Sequence, residues 1–258
     1  MSPSQDQGDV EQILTRAQVR LDIEKPHVDT IRNHDLLVNL KKFGLPQHGW
    51  KDYGAERYLS AQPFLPLLRK SISYAKNEIG DNNLASVLQD NLDDEIGVNS
   101  PSEGSHEEWR QDFYKAIGVD ARFLGNASRS PEGEEYARAL LDVGKSPYQA
   151  IGAIHYLEVT IPFEFNAILI ACEKSFPERF KLNASDTGDI AAEKNKARRY
   201  LYDHIVHDMK EHFFDLKRAL AHHLAIPKSR QELLDGMSIV AEAKISHMDA
   251  LTDRLFWS

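Results

Sequence analysis

The chain has 258 residues, of which 41% are hydrophobic and 28% charged, a composition typical of a soluble globular protein with a sizeable core. Its formal net charge of −9 argues against nucleic acid as a partner, because phosphate binding requires a clustered positive surface. The single cysteine, Cys172, excludes an intrachain disulfide framework and suits a reducing compartment. No apolar run approaches the ~20 residues that cross a bilayer, and residues 1–8 lack the apolar segment of a signal peptide, so we expect a cytoplasmic protein without membrane contact.

Apolar residues at helical spacing predict the elements of the N-terminal half. The predicted helices cover residues 10–21, 29–43, 53–79 and 81–97. Asp81 is a favourable N-cap for the last of them. We expect residues 1–28 to form an N-terminal tail with a short helix, and residues 29–258 to form one helical domain.

The C-terminal half carries stronger helix signals. The predicted helices cover residues 105–118, 130–144, 146–172, 189–223 and 227–256. Ser130 followed by Pro131 is a strong start signal, and we expect Pro162 to interrupt its helix because proline has no N–H to donate. No segment shows sustained strand alternation, so the sequence predicts a single all-α domain of about eight to ten helices.

The strongest concentration of ligand-type side chains lies in residues 202–212, where eleven residues hold three histidines and three acids. On a helix that turns about 100° per residue, His204, Asp208 and one residue of the next turn can point into one pocket. Imidazole and carboxylate together suit iron, manganese or zinc. The simpler alternative is a polar, solvated helix face.

Two further segments carry candidate partners. Residues 93–95 place three acids at a helix C-terminus, where anions are unfavourable unless a cation lies nearby, and Glu95 and His106 could converge across the following loop. Glu158 lies in a helix that is apolar nearly all round, and a buried carboxylate requires a cation, a hydrogen-bond network or a metal. A charged turn with an exposed histidine and a structural salt bridge are the respective alternatives.

In this order the three segments resemble the heme-oxygenase-like diiron oxidases, relatives of the thiaminase-II and pyrroloquinoline-quinone synthase folds. The shared pattern is Asn-Leu-x-x-Glu-x-Gly with a following histidine, then Glu-x-x-x-Pro on an apolar helix, then His-x-x-x-Asp with a further histidine. The resemblance covers residues 29–224 and implies a heme-oxygenase-like helical bundle.

The resemblance also implies a centre of two Fe²⁺ ions. The implied ligands are Glu95, His106, Glu158, His204, Asp208 and His212. The family places its last histidine three residues after the aspartate, and in this chain that position is Glu211. Either Glu211 replaces the histidine or a π-bulge turns His212 inward, and we expect His212.

What the resemblance implies about activity is the use of O₂ as co-substrate to oxidise a small carboxylate-bearing molecule. The implied reactions are amino-acid N-oxygenation, oxidative C–C or C–N cleavage, and fatty-acid decarboxylation, in natural-product biosynthesis. Candidate substrate contacts are His155, Tyr202 and Arg198, since a basic residue can hold a carboxylate. A homodimer is left open.

Two other classes of protein compete with this hypothesis. One is a metal-free enzyme like thiaminase-II or pyrroloquinoline-quinone synthase, for which Cys172 would be the sole cysteine nucleophile, although the sequence offers no basic neighbour to activate it. The other is a non-catalytic helical interaction protein, in which the histidines and acids lie on the surface.

Overall fold

The protein is represented by a computed structural model that describes residues 10, 12–15, 21–98, 105–183 and 185–257. The side chains of Ala121, Asp208, Lys210 and Glu211 lie outside the described residues. Every regular element within these ranges is helical, so the predicted all-α class is confirmed.

The first five helices fill the N-terminal half. They are α1 (Lys25–Arg32), α2 (Asp35–Phe43), α3 (Gln47–Ala61), α4 (Phe64–Tyr74, continued by a π-helical turn at Ala75–Ile79) and α5 (Asn82–Glu95). The single helix predicted over residues 29–43 divides into α1 and α2, because His34 has an extended backbone and its side chain accepts a hydrogen bond from the Leu36 N–H to cap α2. Asp81 caps α5 as predicted, accepting from the Leu84 N–H.

The C-terminal half is built around two long helices. Its elements are α6 (His106–Ala116), α7 (Ala121–Asn126), α8 (Pro131–Val143), α9 (Pro147–Ser175), α10 (Pro177–Phe180), α11 (Gly188–Asp203), a π-helical segment (His204–His212), α12 (Phe213–Leu224), and α13 (Pro227–Thr252, continued by a π-helical turn at Asp253–Trp257). The helices outnumber the predicted eight to ten because short elements such as α7 and α10 leave little periodic signal in the sequence.

Helix α9 is the centre of the bundle and packs against α1, α2, α4, α13 and the long π-helical segment. It is long and apolar enough to cross a membrane, but 83% of its most apolar 18-residue window is buried inside the protein, as in the core helix of a soluble bundle. The predicted interruption at Pro162 is wrong: the helix continues to Ser175. Packing on all sides compensates for the backbone hydrogen bond that proline cannot make.

Helices α9 and α13 touch through their backbones. A Cβ atom added to Gly152 would lie 2.2 Å from the Leu233 carbonyl oxygen, and one added to Gly236 would lie 2.1 Å from the Gln149 carbonyl oxygen. No side chain can be accommodated at such distances without separating the helices. These two glycines therefore set the position of α13 against the core.

We expect Gly236→Ala to lower the free energy of unfolding by about 2 kcal/mol or more, because overpacking forces the two backbones apart. Chemical denaturation followed by circular dichroism measures this change. The matched control is Gly125→Ala in α7, where an added Cβ meets nothing within 4 Å. Equal stability of the two variants would show that the helix contact is not tight.

A buried ion cluster joins the N-terminal segment to the core. Glu24 is fully buried, with Oε1 2.9 Å from His155 Nε2 and Oε2 2.8 Å from Lys217 Nζ. Burial acts to raise the pKa of Glu24, but the contacts with His155 and Lys217 outweigh it and lower the pKa from 4.5 to about 2.

The Glu24 carboxylate should therefore contribute stability above pH 4.5 that is lost as the pH falls from about 4.5 towards 2. Glu24→Gln should lower the free energy of unfolding at pH 7 by about 3 kcal/mol, since it leaves Lys217 without its counter-charge and weakens the hydrogen bond with His155. The difference between wild type and variant should shrink as the pH falls through this window. A difference that is constant with pH would contradict the assignment.

Candidate metal centre

Three of the predicted ligands converge at the ends of three helical elements. Glu95 is the last residue of α5, His106 the first of α6 and His204 the first of the π-helical segment. His106 Nδ1 lies 3.2 Å and His204 Nε2 3.5 Å from Glu95 Oε1. Both histidines are buried, and we call this set the first cluster.

Neighbouring groups fix which ring nitrogen of each histidine faces Glu95. His204 Nδ1 donates to the Tyr200 carbonyl oxygen at 2.8 Å, since a carbonyl can only accept, and this leaves Nε2 with its lone pair. His106 Nε2 donates to Asp203 Oδ2 at 3.0 Å, which leaves its Nδ1 with a lone pair in the same way. Two imidazole nitrogens and a carboxylate then face one another, an arrangement that requires a cation between them, either a metal ion or a proton on the rings.

The charge state of Glu95 suits this arrangement. Burial acts to raise its pKa, but the contacts with His106 and His204 outweigh burial and hold the pKa below its ordinary value. Burial also opposes ionisation of Asp203, whose pKa is nevertheless lowered, chiefly by its hydrogen bond with His106. Both carboxylates are therefore ionised at neutral pH, as metal binding requires.

A second cluster is formed by Asp94, His207 and His212. Asp94 Oδ2 lies 2.8 Å from His212 Nε2 and 3.1 Å from His207 Nε2. In an α-helix, residues five apart would point about 140° away from each other. The π-helical segment hydrogen-bonds at a spacing of five residues and so brings the two histidines to one side.

Glu158 connects the second cluster to the interior of the bundle. It is 3% exposed; its Oε1 accepts from Asn91 Nδ2 at 2.8 Å and its Oε2 lies 3.7 Å from His212 Nδ1. Glu158 also lines the same cavity as the residues of the first cluster. The expectation that this buried carboxylate has polar partners is met.

The structure thus brings together Glu95, His106 and His204, and places His212 beside Glu158. The π-helical backbone that the sequence suggested for turning His212 inward is present, and His212 is 6% exposed. The side chains of Asp208 and Glu211 lie outside the described residues. Their roles as ligand and substitute ligand stay predictions, as do the metal-binding roles of the other five.

Sequence reasoning missed three participants. Asp94 stands beside Glu95 in the acidic run, and His207 belongs to the histidine-rich segment, but the order of motifs did not single them out. Asp203, which orients His106, also lies in that segment. All three residues lie in segments that the sequence marks as rich in ligand-type side chains. The spacing of residues alone does not predict the π-helical geometry that decides which of these side chains lie together.

None of the predicted substrate contacts His155, Tyr202 and Arg198 lines the cavity that contains the first cluster, and their substrate-binding roles stay predictions. His155 is bound to Glu24. Arg198 is buried against Glu173 and the Phe180 carbonyl oxygen, so its charge is already compensated. The sides of the helices that carry His155 and Arg198 therefore face partners other than the cavity.

The cavity that contains the first cluster and Glu158 has a volume of about 220 Å³, roughly the space of seven water molecules. Aromatic rings of Tyr53, Phe165 and Tyr200 form part of its wall. Such a volume suits a small molecule rather than a drug-sized ligand.

Two solved structures have similar folds. A TenA homolog from Pseudomonas syringae pv. tomato str. DC3000 aligns over 95% of this chain and 93% of its own, with a TM-score of 0.68 and 14% identity. A CADD-like protein of unknown function from Nostoc punctiforme PCC 73102 aligns over 98% of both chains, with a TM-score of 0.63 and 16% identity. The sequence matches no protein-family model and no curated protein.

At 14–16% identity these similarities establish the fold alone. They confirm the heme-oxygenase-like helical bundle that the sequence resemblance implied. Histidine, aspartate and glutamate groups that could hold metal are present in this bundle.

If the first cluster binds iron, Asp203→Asn should weaken that binding about tenfold or more, because a neutral amide orients and polarises the His106 ring less strongly than a carboxylate. Titration of Fe(II) against a competing chelator measures the affinity. Asp189→Asn, at an exposed position in the first turn of α11, is the matched control. Unchanged affinity in Asp203→Asn would argue that His106 is not a ligand.

Proposed function

We propose that this protein is a non-heme diiron oxygenase that uses O₂ to oxidise a small carboxylate-bearing substrate, in natural-product biosynthesis. The observation that carries the proposal is the convergence of buried and half-buried imidazole and carboxylate groups in two clusters, which are joined by the neighbouring residues Asp94 and Glu95. One of these clusters opens into a cavity of suitable size.

The donor set fits iron. Imidazole and carboxylate ligands suit Fe²⁺, and the described carboxylates Asp94, Glu95 and Glu158 would balance three of the four positive charges of two ferrous ions. Glu95, His106 and His204 would hold one ion. His212 and Glu158 would hold the other, completed by Asp94 or by the predicted ligand Asp208. When bound, two ferrous ions supply the electrons that reduce O₂.

The protein's own groups prepare this site. Asn91 holds Glu158 by donating a hydrogen bond to Oε1, while Tyr200 and Asp203 fix the orientation of the two histidines of the first cluster. The Phe165 ring packs against His204 with 4.9 Å between centroids. This apolar wall limits the access of water to the place where substrate would be oxidised.

The alternative of a metal-free enzyme related to thiaminase-II is compatible with the fold similarities. Its nucleophile would have to be Cys172, which is fully buried, and burial raises the pKa of this thiol well above its usual value. The alternative of an interaction protein requires that the histidines and acids lie on the surface, but both clusters contain buried histidines. The diiron proposal accounts for both observations.

Anaerobic loading of the full chain with Fe(II) should give two iron atoms per chain by metal analysis. Glu158→Ala and His204→Ala should each reduce this stoichiometry, because each removes a buried ligand. Cys172→Ala is the control and should retain both irons. Full iron content in the two ligand variants, or none in the wild type, would contradict the proposal.

Exposure of the ferrous wild-type protein to O₂ in a stopped-flow instrument should produce a transient visible absorption that the ligand variants lack. Candidate amino acids and fatty acids can then be compared by how far each accelerates O₂ consumption. A metal-free enzyme or an interaction protein would show neither response.

A further inference from the structure

Helix α3 presents a row of hydrogen-bond donors to the cavity. Tyr53, Arg57 and Ser60 follow one another at four- and three-residue steps, which places them on one face of the helix, and all three line the cavity. The hydroxyls of Tyr53 and Ser60 are buried, and within the described part of the chain neither has a hydrogen-bond partner. Buried polar groups without partners are costly, so a bound molecule is their natural partner.

The same wall carries excess positive charge. Glu164 lies between two cations: Lys244 Nζ is 2.8 Å from its Oε2, and Arg57 Nη1 contacts its Oε1. No other acidic side chain of the described residues forms an ion pair with Arg57 or Lys244. Two cations against one carboxylate give this part of the wall a local excess of positive charge, whereas the carboxylates Glu95 and Glu158 line another part of the same cavity.

The pKa directions agree with this imbalance. Burial lowers the pKa of Lys244, the nearby Glu164 acts to raise it, and Arg57 lowers it further. Burial also raises the pKa of Tyr53 well above its usual value, so that its hydroxyl remains a donor.

The donor wall stands apart from the metal ligands. The Phe165 ring separates them: its centroid is 4.9 Å from that of His204, and the Arg57 guanidinium lies 4.5 Å from it on a cation–π contact. Along α9, Glu164 follows Glu158 by six residues, a rise of about 9 Å. In a substrate whose anionic group is held by Arg57 and Lys244, several covalent bonds would thus separate this group from the end that reaches the first cluster.

We infer that Tyr53, Arg57, Ser60 and Lys244 form an anion pocket that binds the carboxylate of the substrate and directs its opposite end to the metal centre. The binding role stands on the cavity wall alone, and only the identity of the reacting end rests on the proposed function. The substrate class is a small straight-chain carboxylic acid that reacts at the end remote from its carboxylate. Decarboxylation, which needs the carboxylate at the metal, is disfavoured by this orientation.

Isothermal titration of the full-length protein with octanoate and 6-aminohexanoate tests the pocket without iron or O₂. The wild type should bind at least one of these acids, and Lys244→Met should bind it about 10- to 100-fold more weakly, since a charge-assisted contact is lost. Lys244→Arg, which keeps the charge, should retain affinity within a few-fold. Lys228→Met, at a largely exposed position in α13, is the control for loss of a lysine.

Lys244→Met still pairs Arg57 with Glu164, so the variant should fold, which circular dichroism verifies. Neutral 1-octanol, which has no carboxylate, should bind equally to wild type and variant. Equal carboxylate affinity in wild type and Lys244→Met, or no binding of either acid at millimolar concentration, would overturn the pocket. These outcomes are independent of iron stoichiometry, which tests the proposed function.

A charge-transfer band tests the orientation of the bound acid separately from its affinity. With Co(II) in place of iron, 6-mercaptohexanoate should give a thiolate-to-cobalt charge-transfer band if its carboxylate occupies the anion pocket and its thiol reaches the metal. Lys244→Met should require about tenfold more ligand for the same band. Binding by calorimetry without such a band, in protein that holds cobalt, would show that the carboxylate points the other way.

Discussion

Two buried carboxylates on α9, Glu158 and Glu164, impose the constraint around which the bundle is arranged. Neither can remain charged inside the protein without partners, and the surrounding helices supply a different set for each. Asn91 from α5 and His212 from the π-helical segment contact Glu158. Cations from α3 and α13 contact Glu164.

The close contact between α9 and α13 connects the fold to the cavity. Gly152 and Gly236 allow the two backbones to touch, and α13 carries Lys244 about two turns beyond Gly236. The position of a cation in the cavity wall therefore depends on two residues that have no functional group. A substitution at either glycine should therefore disturb both the packing of α13 and the position of its cation in the cavity wall.

Local signals explain what could be predicted from the sequence. The cap at Ser130 and the burial of Glu158 follow from nearby residues, and both are present in the structure. The division of the predicted helix at His34 depends on a cap made by an imidazole, which is not a usual capping residue. Which basic residues face the cavity depends on packing between distant helices, so the sequence could not show that Arg57 and Lys244 line the cavity while Arg198 packs elsewhere.

Asp94 and Glu95 are consecutive residues that serve different clusters at the same helix terminus. An ion bound at one cluster would order the last turn of α5. It would thereby immobilise the neighbouring carboxylate that binds an ion at the other cluster. The conformational entropy lost in the first event then need not be lost again in the second. If both clusters bind iron, occupancy should be cooperative, and a half-filled centre should be a minor species during loading.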